Sequence, residues 1–568
     1  MDDLLQRARA WIAADPDPST RAELEEVIAS GDLDELRARM DTVLEFGTAG
    51  IRGRVGAGPG RMNRAVVIRT THGLATYLKE TAAGGEVGRV AVGFDARPDS
   101  RTFAEDTAGV LAAAGIPVIY FDRPTPTPLV AFTAKHLSAA AAVVITASHN
   151  PPADNGYKVY GPDAAQIVPP MDVGIQRAIE AAPPANQVER VADIFSTSSP
   201  LAAPAPTDIL DCYWDEVSAV RSRSTGSDLR IVYTPLHGVG KATLLEIMRR
   251  AGHRGVSPVP EQAEPDGTFP TLTFPNPEEP GTLDLAMARA DAVGADLVIA
   301  NDPDADRLAV VVPHEGQWRP LSGNEIGVLL GDYILSNDPD PASAIVASSI
   351  VSSPMLSSIA QAKGATHEST LTGFKWIVRA GLTLEAETGG RFVFGYEEAL
   401  GYTVGSVVRD KDGMSAAVVF CDLAADLAEQ GSGVMGLLHR LWRKHGLWVS
   451  AQTSIVRTEP GGLQACLLAV DKLGANPPDR IGAFAVTGMT DYRIGAEHRR
   501  PWLGAQPLIE LDLGNEGRVL VRPSGTEPKL KIYTDLRGEC GDHPDQEHRE
   551  LLSKAAELGA LLAKAMDL

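Results

Sequence analysis

Cysteine is scarce in this chain of 568 residues: Cys212, Cys421, Cys466 and Cys540 are the only four, far apart and with no C-x-x-C pair. Neither a disulfide scaffold nor a cysteine-held zinc site is indicated, and a reducing compartment fits best. Aromatic residues make up only 5%. No uncharged apolar run approaches the ~18 residues that a membrane helix needs. The longest small-apolar run, 139–147, suits a buried strand with its lead-in. The opening MDDLLQRARAWIAADPD is acidic and amphipathic, without the basic stretch and apolar core of a signal peptide. Positive charge is also short, with 52 Lys and Arg against 74 Asp and Glu, a net charge of −22. A field of that sign repels nucleic acid and anionic membranes at long range, so neither is expected as a partner. The expectation is a soluble cytoplasmic protein, monomer or homodimer.

What is present is ordinary globular material, 44% hydrophobic and 22% charged, enough to bury substantial cores. At about 150 residues per domain the length points to roughly four domains. Helical periodicity precedes Phe46. A different rhythm follows, in which helix-like segments end in glycine and lead into short β-rich runs: LAAAG before IPVIYF (111–121), IMRRAG before HRGVSPV (247–259) and IAQAKG before ATHEST (359–370). Around them lie compact strands, RVAVGF (89–94), AAVVITA (141–147), LRIVYT (229–234), DLVIA (296–300) and AIVASS (344–349). The pattern predicts α/β domains with mixed or mainly parallel sheets. A Pro- and Ala-rich stretch over 181–206 reads as a linker or surface crossing, and the segment from about 450 onward, poor in helix until LLSKAAELGALLAKAM, reads as α+β. The expected domains are 1–205, 206–320, 321–447 and 448–568.

Four stretches carry chemistry. TASHNPPADNGYKVYG (146–161) follows a strand, and the carboxyl edge of a sheet is where α/β folds place ligands. Ser148 is its candidate nucleophile, with His149 beside it. Thr146 and Asn150 stand where the G-x-S-x-G elbow of a hydrolase needs glycines, so an esterase is disfavoured. Lys158 could neutralise phosphate, or act as acid or base if its pKa is depressed. NDPDADR (301–307) alternates Asp302, Asp304 and Asp306, which in an extended loop could converge on one hard cation, Mg²⁺ above all. RPSGTEPKLKIY (522–533) offers Arg522 and a Ser524-Gly525-Thr526 turn as an anion nest. GYEEALGY (395–402) offers Glu397 and Glu398 to sugar hydroxyls, and VRDKDG (408–413) offers Arg409 and Lys411 to phosphate. GVGKAT (238–243) lacks the leading Gly and the Ser/Thr of a P-loop, and GAGPGR (56–61) lacks the last glycine of a dinucleotide fingerprint.

Together with FGTAGIRG (46–53), these motifs in this order resemble the α-D-phosphohexomutase superfamily of phosphoglucomutases and phosphomannomutases. The resemblance implies three similar α/β domains and a C-terminal α+β domain around a central cleft. It implies that Ser148 is carried as a phosphoserine, with Mg²⁺ held by Asp302, Asp304, Asp306 and Ser148. Arg52 and Lys158 match residues flanking the reacting phosphoryl group, and Arg307 lies nearby. Glu397 matches the sugar contact, and Lys411 the lysine of the basic KDG segment. Arg522, Ser524, Gly525 and Thr526 match the loop for the nonreacting phosphate. Many relatives have serine two residues after the sugar-binding glutamate, where this chain has Ala399. The EEALGY version is similar to a branch of bacterial phosphomannomutase-like and phosphoglucomutase-2-type enzymes, some preferring pentose phosphates.

The activity so implied is that of an intramolecular phosphotransferase interconverting hexose 1-phosphate and hexose 6-phosphate, glucose or mannose. It would run through a phosphoserine and a sugar bisphosphate such as glucose 1,6-bisphosphate, which also serves as activator, so its partner is a small phosphorylated sugar. A phosphopentomutase, a phosphatase and a noncatalytic sugar-phosphate sensor are the alternatives.

Overall fold

The computed structural model describes residues 2–44, 50–82, 84–196, 198–457, 461–523 and 529–566. The chain forms two compact units, Met1–Pro320 with Ser406–Val419, and Leu321–Gly405 with Phe420–Leu568.

The first unit opens with the helices Asp2–Ala14, Pro18–Ser30 and Leu33–Met40. The second starts sharply because the Asp17 carboxylate accepts from the Ser19 N–H and Pro18 supplies a preset φ. Leu4, Ala8, Leu24, Leu36 and Met40 form a small core of their own that closes on Ala57. A six-stranded sheet follows, in the order Ile51–Arg54, Asp154–Tyr160, Ala141–Ile145, Val90–Phe94, Val118–Tyr120, Ala202–Pro204. The last of these comes from the Pro- and Ala-rich stretch expected to be a linker or surface crossing. It is instead an edge strand parallel to Val118–Tyr120, where prolines are tolerated because no ladder donor is needed on the open side. A five-stranded sheet is ordered Gln317–Pro320, Ala309–His314, Leu297–Ala300, Ile231–Thr234, Val256–Pro258.

The second unit holds a four-stranded sheet, Thr366–Thr370, Ala344–Ser349, Arg391–Glu397, Gly401–Val404. A larger sheet has five strands, all antiparallel: Leu447–Val456, Lys529–Gly538, Gly517–Pro523, Ile509–Asp512, Gly488–Asp491, and a two-stranded one pairs Arg480–Ile481 with Phe484–Ala485. The helices Gly462–Ala475 and Pro544–Ala565 share one core with the larger sheet through Cys466, Val470, Leu558 and Leu562. Strand alternation sends Val519 and Val521 into that core and Leu520 into a second cluster with Ile350 and Leu371.

Three of the sheets repeat one path: strand, helix, strand, helix, strand, loop, antiparallel strand. In chain order the opening strands are Val90–Phe94, Ile231–Thr234 and Ala344–Ser349, and the closing ones Asp154–Tyr160, Ala309–His314 and Gly401–Val404. The three glycine-ended helices noted in the sequence occupy the same place in each repeat. Gly115, Gly252 and Gly364 have φ of 78°, 86° and 76°, the left-handed turn that ends a helix and that only glycine adopts without strain. The loops before the closing strands, 146–153, 301–308 and 398–400, are therefore equivalent, and three of the four chemical motifs fall on them.

Candidate functional site

The strand Ala141–Ile145 is apolar and buried at every position, and it delivers the Ser148 loop at its carboxyl end. Ser148 sits at φ 51°, unusual for a residue with a Cβ, and its N–H is held by Thr146 Oγ1 at 2.8 Å. The Ser148 hydroxyl donates to Asp302 Oδ2 at 2.6 Å and lies 3.2 Å from His149 Nδ1. Arg52 and Gly156 are paired on neighbouring antiparallel strands, and Lys158 lies two residues further along, on the same face. Arg52 reaches Asn150 Oδ1 at 2.9 Å. Of FGTAGIRG, residues 46–49 lie outside the described residues.

The NDPDADR segment is a turn rather than the extended loop expected. Ala305 N–H donates to the Asp302 carbonyl at 2.9 Å and Ala305 sits at φ 61°. The turn, not simple alternation, brings one oxygen each of Asp302, Asp304 and Asp306 within 4.8 Å of one another, all three residues fully buried. The glycines of GVGKAT pack against this turn: a Cβ on Gly238 would stand 2.4 Å from Pro303 Cα. Lys158 Nζ donates to Asp304 Oδ2 at 2.7 Å and Asp306 Oδ2 at 2.9 Å, and Thr127 Oγ1 donates to Asp304 Oδ2 at 2.8 Å. Arg307 N–H donates to Asp302 Oδ1 at 3.1 Å, and its guanidinium Nε lies 3.9 Å from both Asp302 and Asp306.

Burial pushes all three carboxyls up. At Asp304 burial is outweighed by Lys158 together with the Thr127 hydroxyl, and at Asp306 by Lys158 together with Lys411 and Arg307, so both are held below the usual range, whereas Asp302, buried beside two charged carboxylates, is raised. Burial alone would lower Lys158, but Asp304 and Asp306 reverse this and raise it. The depressed lysine considered from the sequence is thus not what its surroundings produce. His149 is driven well down by burial and by Arg307 and Arg52. Asp304 Oδ1 and Asp306 Oδ1 are buried and make no hydrogen bond. Such oxygens are costly unless a cation answers them, and three carboxylates with a serine hydroxyl are a donor set that suits a hard divalent ion.

Lys411 belongs to the segment 406–419, which packs with residues 1–320 although the sequence places it inside 321–447. The reason is a set of buried polar ties. Lys135 Nζ donates to Ser406 O at 2.5 Å, Tyr160 OH and Gln166 Nε2 each to Asp410 Oδ2 at 2.8 Å, and Tyr213 OH to Asp412 at 2.8 and 3.0 Å. Lys411 Nζ thereby stands 3.2 Å from Asp306 Oδ2. Arg409, read as a phosphate contact, donates to the Asp163 carbonyl at 2.8 Å.

In the second unit Glu397 Oε1 accepts from Gly373 N–H at 2.9 Å. Glu398 Oε2 accepts from Ser349 Oγ at 2.9 Å and Ser352 Oγ at 3.3 Å, so its carboxylate is engaged by the protein. Arg522 Nη1 donates to Thr372 Oγ1, and its Nε makes no hydrogen bond. Ser524, Gly525 and Thr526 lie outside the described residues. Thr127, Thr372 and Gly373 touch these groups and were missed in the sequence. Thr127 has no local signal, whereas the Thr372-Gly373 step before the helix Phe374–Thr388 is a loop of the kind that holds ligands.

Among the described residues no helix is long and apolar enough to cross a membrane. Four domain families match in order: phosphoglucomutase/phosphomannomutase alpha/beta/alpha domain I at 43–185, domain II at 211–316, domain III at 322–445 and the C-terminal domain at 483–539. The chain is 37% identical over 561 residues to a Schizosaccharomyces pombe protein described as a probable phosphoribomutase, covering 95% of this chain and 94% of that one. It is 39% identical over 483 residues to a Haemophilus influenzae protein described as a probable phosphomannomutase, covering 84% and 93%. The open form of pp63/parafusin, a phosphoglucomutase of Paramecium, shares the fold at a TM-score of 0.68 and 16% identity, covering 92% and 96%. With all four domains present and similarity running the length of the chain, this protein belongs to the phosphoglucomutase/phosphomannomutase family of the α-D-phosphohexomutase superfamily and is an intramolecular phosphotransferase.

Proposed function

We propose that this protein is a phosphosugar mutase in which Ser148, carried as a phosphoserine, gives its phosphoryl group to a free hydroxyl of a sugar monophosphate. The bond from phosphorus to Ser148 Oγ breaks, a bond to the sugar oxygen forms, and the sugar hydroxyl proton passes to the enzyme. The resulting bisphosphate turns end for end and its other phosphoryl group returns to Ser148. The observation that carries this reading is the Ser148 hydroxyl 2.6 Å from a fully buried carboxylate triad that also engages Lys158. Asp302, Asp304, Asp306 and Ser148 would hold Mg²⁺, which when bound supplies charge neutralisation at the transferring group.

Lys158 and His149 are assigned to the proton. His149, whose Nδ1 lies 3.2 Å from Ser148 Oγ, takes the proton from the sugar hydroxyl and passes it to Ser148 Oγ as the phosphoryl group leaves, and Lys158 stabilises the charge that develops. Arg52, Arg307 and Lys411 are assigned to the phosphoryl group, Glu397 to the sugar hydroxyls, and Arg522 with Ser524, Gly525 and Thr526 to the nonreacting phosphate. Glu398, whose Oε2 is held by Ser349 and Ser352, is assigned with Glu397 to the sugar hydroxyls. Domain bounds at 205, 320 and 447 remain the proposed ones, with 406–419 packed back onto the first two domains. A cytoplasmic monomer or homodimer goes with this reading.

Hexose 1-phosphate and hexose 6-phosphate are the proposed substrates, with a sugar bisphosphate as activator. A second reading, pentose 1-phosphate, is favoured by the similarity of 95% of the chain to a probable phosphoribomutase. Turnover of glucose, mannose and ribose 1-phosphates side by side, each with its bisphosphate, separates the two. Ser148→Ala is expected to abolish both isomer formation and transfer of labelled phosphate from sugar bisphosphate to protein. Retained turnover in that variant would sink the nucleophile, and inorganic phosphate released in place of isomer would make the protein a phosphatase.

A further inference from the structure

Arg97 lies between the strand Val90–Phe94 and the helix Ser100–Ala113, outside every chemical motif. Its side chain is 1% exposed, and its two terminal nitrogens donate to three carbonyl oxygens of one loop and to the first of the strand that follows it. Nη2 reaches Ser148 O at 2.8 Å and Asn150 O at 2.6 Å, and Nη1 reaches Pro151 O at 2.7 Å and Asp154 O at 2.8 Å. Asp95 fixes the guanidinium from behind, with Oδ2 3.2 Å from Nε, and the Phe269 ring lies 5.1 Å from it. Gly267 closes the lid on this arrangement, since a Cβ there would stand 2.3 Å from Arg97 Cα.

We propose that Arg97 is the positioning residue that holds the Ser148 loop in its reactive shape. A loop that turns its carbonyls inward must satisfy them, and the planar fork of a guanidinium answers four at fixed spacing where the single nitrogen of lysine cannot. The four bonds hold Ser148 at φ 51° with its hydroxyl on Asp302, and they fix Asn150, whose side chain receives Arg52. Arg97 touches no reacting atom, so its loss should lower turnover without changing affinity for the sugar phosphate.

The inference rests on the mutase reading, and Ser148→Ala in the same assay keeps the two apart. Arg97→Lys preserves charge and most of the volume. The expected result is a folded protein with kcat about a hundredfold lower, as a displacement near 1 Å at a reacting atom produces, at unchanged KM, with more phosphate released per isomer formed. Should Arg97→Lys not fold, Asp95→Asn reads the same split. It keeps the Oδ1 acceptor for the Arg97 N–H and Ser100 Oγ and replaces the charged Oδ2 behind the guanidinium with an NH2 group that cannot accept from Nε. There a fivefold fall in kcat at unchanged KM supports the proposal. An inactive Ser148→Ala with kcat of the informative variant within twofold of the parent, or a loss carried by KM alone, overturns the role of Arg97. An active Ser148→Ala overturns the mutase reading itself.

Discussion

Gly413→Ala should damage the enzyme, although helix propensity argues the reverse. Gly413 opens the helix Gly413–Glu429, where alanine in place of glycine ordinarily gains ~0.5–1 kcal/mol. Here a Cβ would stand 2.1 Å from the Arg307 carbonyl oxygen, 2.5 Å from its carbon and 2.8 Å from Asn301 Nδ2. Ordinary contact begins at 3.4 Å, so the two backbones must part by about 1.3 Å. Neither yields easily. The Arg307 carbonyl is pinned by Asn301 Nδ2 at 2.6 Å, and Asp412 is held by Tyr213 and by the Met414 and Ser415 N–H groups. Overpacking of this kind costs ~1–3 kcal/mol, which outweighs the propensity gain and lowers Tm by a few degrees. Whichever side moves carries Asp306 or Lys411 with it, so kcat should fall about a hundredfold. A coupled mutase assay at saturating sugar phosphate and a calorimetric melt read both quantities. A kcat within threefold of the parent with Tm unchanged or higher would refute the argument that this contact sets the site.

Asp304→Asn should leave a folded protein that has lost at least a hundredfold in kcat together with its response to Mg²⁺ concentration, and an unaltered Mg²⁺ titration would remove the triad from the metal. Tyr213→Phe deletes the donor to both Asp412 oxygens, at about 1–3 kcal/mol. Asp412 is already raised by burial, with Ser415 and Tyr213 pulling it back, so its pKa climbs further in the variant. A raised carboxyl favours the fold in acid and loses that contribution as pH rises, so the Tm deficit of Tyr213→Phe should be widest above neutrality and narrow on acidification. Glu398 is pushed to about 7 by burial and by Glu397, so its folded form takes up a proton and stability drains away as pH climbs towards 7. Glu398→Gln should therefore melt above the parent at pH 8 and not at pH 5, and parallel profiles would contradict this.

Local patterns made the repeats legible: the glycine-ended helices and the β-branched strands each report their own few residues, and each proved to be one element of the shared path. Ser148 and the three aspartates stood out because chemistry concentrates unusual residues in short runs. That Ser148 meets Asp302 across 154 positions is a tertiary fact which no local pattern encodes, and only the family resemblance supplied it. The same holds for Thr127, an ordinary helix-opening threonine until its hydroxyl meets Asp304. The 181–206 stretch misled because proline content argues against central strands but is silent about edges. Gly462–Ala475 was overlooked because its apolar run, QACLLAV, does not separate helix from buried strand.

The excursion of residues 406–419 bears on how the chain is made. Residues 1–320 leave the ribosome with Asp410 and Asp412 still unsynthesised, so Tyr160, Gln166 and Tyr213 face a gap where their acceptors belong. At 5–20 residues per second the missing stretch follows after roughly 5–20 s. During that interval the nascent first unit is a receptor waiting for its own distal segment, and a chain cut at 320 would keep the serine and the three aspartates yet never receive Lys411.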